Sequence, residues 1–138
     1  MENYSELLEE AQLALDLKEI NKAIDLFENI LKLNPINSDA NYGLGNCYYE
    51  LKDYETAINY FEQVIQTSNY YCGDSYAMLG ICNMNLAEEC TTNEIKYELK
   101  AIEYYKKIIN HYPKKIDEGI LTDLALAYGY IKDLITLF

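Results

Sequence analysis

Arginine is absent from this sequence, and so is tryptophan. There are two prolines, one histidine and no apolar run that approaches the length needed to span a bilayer. All 11 basic residues are lysines, and they stand against 23 acids for a net charge of −12. Proteins that bind nucleic acid draw much of their affinity from neutralising phosphates with clustered Lys and Arg, so that class of partner is excluded. The amino terminus, MENYSELLEE, has neither the basic start nor the apolar run of a secretory signal. With no membrane segment either, a cytoplasmic protein with no membrane partner is predicted. The four cysteines, Cys47, Cys72, Cys82 and Cys90, form no C-x-x-C pair, and His111 is remote from them, so zinc-type spacing is missing. Reduced and mostly buried thiols are expected, with no metal and no cofactor.

What is present is a chain of 138 residues, half of them hydrophobic, long enough to bury a core without disulfides. The acidity is uneven, with −9 over residues 1–62 and −3 over residues 63–138, so a basic partner would feel the first half most. The segment AIDLFENI (23–30) recurs as AINYFEQV (57–64) and as AIEYYKKI (101–108), the first two 34 residues apart. Each begins Ala-Ile and places an aromatic four residues after the alanine, at Phe27, Phe61 and Tyr105. A second element, LGNCYYELKD (44–53), returns as LGICNMNLAE (79–88) and LALAYGYIKD (124–133), so two kinds of helix alternate. Pro35 and Pro113 punctuate the chain where the first and third Ala-Ile helices should stop.

These features resemble the tetratricopeptide repeat, a helix-turn-helix unit that stacks into a solenoid. The match is closest over residues 38–71, where Leu44, Gly45, Tyr48, Tyr54, Ala57 and Phe61 fall on the family's packing positions. The implied fold class is all-α, a tetratricopeptide-type α-solenoid built as a right-handed superhelix of antiparallel helix hairpins. One domain over 1–138 is expected, with repeats at 4–37, 38–71 and 73–115, an insertion near 87–95, and a terminal helix at 117–138. The third repeat departs from the pattern at Asn83 and in its extra length, and Thr91 with Glu94 forms a capping box that predicts a fresh helix from near Thr92 to about Tyr112. Glu88, Glu89 and Cys90 at that tip read as a contact point or regulatory thiol, or as a tolerated length change.

Glycine inside a helix costs about 1 kcal/mol against alanine, so Gly45 needs a reason, and the close approach of the paired helix supplies one. A phosphate loop is the competing reading of YGLGNCY. It fails because Tyr48 stands where a third glycine is required, and neither a strand before nor a lysine after completes the motif. His111, in INHYP at a helix end, reads as a residue complementing the helix dipole and has no catalytic company in sequence.

The resemblance implies a non-catalytic module that holds a peptide or helix of a partner in a groove lined by the first helix of each hairpin. Carrying the helical phase across the repeats assigns to it Leu8, Glu9, Gln12, Leu15 and Asp16, then Tyr42, Asn46, Tyr49 and Glu50, then Met78, Ile81, Met84 and Asn85, with Leu126 and Tyr130 to follow. This wall is apolar with acidic edges, which predicts a protein or peptide partner with apolar anchors and flanking basic residues. One subgroup of the family clamps the terminal carboxylates of heat-shock chaperones with lysine, arginine and asparagine. Here Asn46 stands alone at a comparable site, and clamped carboxylates would meet no cation. The alternative is a self-associating scaffold. The terminal stripe Ile120, Leu124, Ala127, Ile131, Leu134 and Phe138 argues for one long helix, and Leu134, Ile135 and Phe138 are the candidates for contact in a homodimer.

Overall fold

Apolar residues at three- and four-residue spacing, broken by short polar turns, divide the chain into helices. A computed structural model describes the backbone of residues 4–68, 70–90, 92 and 94–136, and the side chains of these up to residue 129. Among the described residues there are seven α-helices and no strand: α1 (Tyr4–Asp16), α2 (Ile20–Leu33), α3 (Ser38–Glu50), α4 (Tyr54–Thr67), α5 (Cys72–Glu89), α6 (Glu94–His111) and α7 (Glu118–Thr136). A 3-10 turn, Pro113–Lys115, precedes α7. The chain falls into two compact units, Met1–Tyr71 and Cys72–Phe138.

In the first unit, α1 packs on α2, α2 on α3 and α3 on α4. Ala11, Ala14 and Leu15 of α1, Ala23, Phe27 and Ile30 of α2, and Ala40, Leu44 and Cys47 of α3 share one core. The two hairpin turns are built alike. Lys18 and Lys52 adopt left-handed backbone at φ 63° and 62°. The next amides then reach back, Glu19 N–H to the Ala14 carbonyl at 2.8 Å and Asp53 N–H to that of Tyr48 at 2.9 Å, which closes each helix in the Schellman manner. Asn37 and Asp53 cap α3 and α4 by accepting from the Ala40 and Thr56 amides. Helix α2 ends at Leu33, before Pro35.

The ring of the repeated aromatic explains the helical glycines. A β-carbon at Gly45 would sit 2.6 Å from the Phe61 ring, so α4 can lay that ring over α3 only where there is no side chain. Phe27 covers Gly43 in the same manner, and Tyr105 covers Gly80 in the second unit. The contact is therefore ring upon backbone, more specific than the general helix approach expected for Gly45. Both glycines of YGLG lie buried inside α3, where no phosphate-binding turn can form.

In the second unit, α5 and α6 are 18 residues each, against 13 or 14 for the helices of the first, so the added residues are taken up largely as helix. Helix α6 starts at Glu94, two residues later than expected, and the Thr91 half of the proposed capping box lies outside the described residues. Tyr105 is fully buried and its hydroxyl donates to Asp123 Oδ2 of α7 at 2.9 Å, the acceptor that a buried tyrosine requires. Helix α7 is continuous to Thr136, passing Lys132 and Asp133 without a turn, with Ile120 and Ala127 buried against α6 residues. Leu134 and Ile135 lie on this helix, but their side chains, with those of Tyr130 and Ile131 and with Phe138 entirely, are outside the described set.

Candidate partner-binding site

Helices α1 and α3 present the same face in the first unit because a step of 34 residues carries Leu8 onto Tyr42 and Gln12 onto Asn46. Between them lies an open depression of about 280 Å³. Helix α1 contributes Leu8, Glu9 and Gln12, α3 contributes Asp39 and Tyr42, and Phe27 of α2 and Tyr71 beyond α4 complete the lining. Leu8, Tyr42 and Tyr71 are half-buried, Phe27 is buried, and Glu9, Gln12 and Asp39 line the open side. Among the described residues the lining contains no lysine.

The aromatic wall is held from several sides. The Tyr42 ring stacks on Tyr71, with centroids 4.9 Å apart and 12° between planes, and meets Phe61 edge-on at 5.5 Å. Tyr70 stands perpendicular to Tyr71 at 4.9 Å. The Tyr71 hydroxyl donates to Asp39 Oδ1. Burial first, and then this bond and the carboxylate's charge, push the Tyr71 hydroxyl well above the ordinary tyrosine range, so it remains a neutral donor.

Of the residues read from sequence, Leu8, Glu9, Gln12 and Tyr42 come together in this depression. Others are engaged elsewhere. Asp16 accepts from Gln12 Nε2 at 2.9 Å, and Tyr49 lies against Tyr54 of its own hairpin at 5.7 Å. Glu50 pairs with Lys18 at 3.0 Å, which offsets the charge it was expected to offer a partner. Asn46 is half-buried on α3. Leu15 belongs to the first unit's core, contrary to its placement on the groove wall, because its side chain is buried in the cluster that α1, α2 and α3 share. In the second unit, Met78, Ile81 and Asn85 are half-buried on α5, and Asn85 donates to the Ile81 carbonyl. Met84 corrects the reading there: it is buried with Ala101, Ile102 and Tyr105, because the helical phase at this point faces α6. Leu126 is exposed on α7.

Sequence reasoning missed Phe27, Asp39 and Tyr71. Asp39 was within reach, since it stands three residues before Tyr42 on one helical face. Phe27 reads from sequence only as the repeated aromatic of the Ala-Ile helix, and Tyr71 follows α4 where no periodic signal exists. Glu98 was also missed. It is 1% exposed, its Oε2 has no hydrogen-bond partner among the described residues, and burial first, then the charge of Glu94, raise its carboxyl above the usual range. The thiols of Cys47 and Cys82 are both pushed up to about 12, mainly by burial, with Glu50 adding to the effect on Cys47. His111 is the last residue of α6 and exposed. Among the described residues no group of three or more His, Cys, Asp or Glu could hold a metal ion, and no helix is long and apolar enough to cross a membrane.

Comparison with known proteins adds to this geometry. Residues 8–71 match the tetratricopeptide repeat family model. Over 91 residues the chain is 34% identical to a putative sel1-like repeat-containing protein, L21, of Acanthamoeba polyphaga mimivirus, an overlap of 58% of this chain and 17% of that protein. The matched region thus corresponds to about a sixth of that relative's length. Among solved structures, the first repeat domain of Spaghetti (RPAP3), bound to the HSP90 peptide SRMEEVD, superposes with a TM-score of 0.76 at 15% identity, covering 91% of this chain and 90% of that one. The Sgt2 repeat domain of Aspergillus fumigatus gives 0.77 at 20% identity over 96% and 81% of the two chains. The thermophilic repeat protein TTC0263 of Thermus thermophilus gives 0.77 at 20% identity over 94% and 66%.

Proposed function

Because the chain is a tetratricopeptide-repeat protein, an all-α solenoid of antiparallel helix hairpins, we propose that it is a non-catalytic protein-interaction module that holds a peptide or helix of a partner on the first helices of its hairpins. The observation that carries this reading is the first-unit depression, which gathers Leu8, Glu9, Gln12 and Tyr42 with Asp39 and two further aromatic rings. Apolar rings supply burial, and the carboxylates select for positive charge in the partner. The peptide in the Spaghetti structure ends in acids. This depression, rimmed by Glu9 and Asp39 without a lysine, suits the opposite sign. The repeats at 4–37, 38–71 and 73–115 and the terminal helix are read as one domain of this module. A cytoplasmic location belongs to the same reading, supported by four cysteines that form no disulfide, three of them buried.

The test is affinity purification from native cells with the intact chain as bait, beside a Leu8→Glu, Tyr42→Ala variant shown by circular dichroism to remain helical. The expected result is a set of proteins held by the former and lost by the latter. Identical captures by both baits would overturn the site.

Self-association through α7 is the second reading, favoured by the exposure of Leu121, Leu126 and Tyr128 on that helix. Sedimentation of the intact chain and of a chain lacking residues 134–138 tests it. A concentration-dependent dimer lost on truncation supports it, and a monomer in both cases removes it.

A further inference from the structure

We infer, resting on the interaction reading above, that the first-unit depression is a socket for one arginine side chain of the partner segment. Its volume of about 280 Å³ is below the roughly 300–1,000 Å³ of ordinary small-molecule sites, which suits a single side chain better than a cofactor. The walls offer two kinds of contact close together. Tyr42 and Tyr71 present aromatic surface whose orientation is set by their mutual stacking and by the edge contact with Phe61. Glu9 from α1 and Asp39 from α3 bring carboxylates to the same depression from two different helices, and the Tyr71 hydroxyl fixes the Asp39 group against the rings.

Arginine uses both at once. Its guanidinium is planar and weakly hydrated, so it lies against a tyrosine face at low desolvation cost, and its forked N–H groups can donate to carboxylates on two sides. The aliphatic stem would cross Leu8, above the ring of Phe27, which is buried beneath and held against Gly43. A lysine ammonium would satisfy the charge but is compact and strongly hydrated, and gains less from the rings. An acidic side chain would face two carboxylates and, among the described lining residues, no cation.

The experiment is an amide chemical-shift titration of the intact chain with N-acetyl-arginine methylamide. The comparison compounds are the citrulline analogue, in which a neutral urea replaces the guanidinium, and the lysine analogue. Saturable shifts are expected at Leu8, Gln12, Asp39, Tyr42 and Tyr71, with arginine bound about tenfold more tightly than citrulline and more tightly than lysine. Tyr71→Phe, which keeps the ring and removes the hydroxyl, and Asp39→Asn should each weaken arginine binding by about threefold or more. Equal binding of arginine and citrulline, or shifts located elsewhere, would overturn the socket, and this comparison needs no variant to fold. Stronger binding of lysine would also overturn it, in favour of a plain charge site. If the arginine compound fails while the Leu8→Glu, Tyr42→Ala bait still loses its captured proteins, the socket falls and the interaction reading stands.

Discussion

Glycine and glutamate show how much a single residue can carry here. At Gly45, alanine would gain about 1 kcal/mol of helix propensity but would bring its β-carbon within 2.6 Å of the Phe61 ring. A leucine enlarges the overlap beyond what propensity can offset, so Gly45→Leu should destabilise the protein by about 1–3 kcal/mol, measured by urea unfolding. At Glu98 the effect depends on pH. Its folded carboxyl is raised above the ordinary 4.5, first by burial and then by Glu94, so the native state binds the proton more tightly than the unfolded chain does. The burial penalty is absent below the unfolded value and grows as pH rises from there through the folded value. Glu98→Gln should therefore raise the urea midpoint at pH 7, with the gain shrinking as pH falls toward 4.5. A constant gain at both pH values would mean that ionisation is not the cause. Gly45 could be recognised in the sequence because a helical glycine always asks for a reason. Glu98 could not, because a glutamate on a charged helix looks solvated until its neighbours are known.

Among the elements, the hairpins were the most legible feature, because the Ala-Ile-x-x-aromatic pattern marks one helix type and the Leu-Gly pattern the other. What escaped was the detail of the turns. Lysine at Lys18 and Lys52 gives no hint of left-handed backbone, which favours glycine, yet both adopt it at equivalent places. That conformation costs a non-glycine residue about 1–2 kcal/mol, and the looser unfolded chain of a glycine variant returns about 0.5–1 kcal/mol of the gain. Lys52→Gly should then stabilise by about 0.5–1 kcal/mol in thermal or urea unfolding. Lys18→Gly should gain less, since it also removes the 3.0 Å pair with Glu50, although an exposed pair of this kind is worth little. The phase error at Met84 belongs to the same scale. Met84 stands four residues after Gly80 as Tyr49 stands four after Gly45, and both turn toward the second helix of their own hairpin, Tyr49 to Tyr54 of α4 and Met84 to the α6 residues Ala101, Ile102 and Tyr105.

For the molecule as a whole, charge is the property that reaches furthest, since −12 over 138 residues biases every encounter toward basic partners. If the depression is the site, association with a partner should slow and weaken between low and physiological salt, with the on-rate changing more than the off-rate. An affinity insensitive to salt would point to an apolar surface such as the exposed side of α7. Four of the predicted groove residues converge in space because repetition at 34 residues translates directly into a shared face, while Tyr71 arrives from a connecting segment that no repeat pattern governs. The most direct test is amide hydrogen exchange of the intact chain with and without a partner captured by affinity purification. Slowed exchange is expected at residues 8–12 and 39–42, the segments of α1 and α3 that line the depression. Protection confined to α7, or none on α1 and α3, would contradict it.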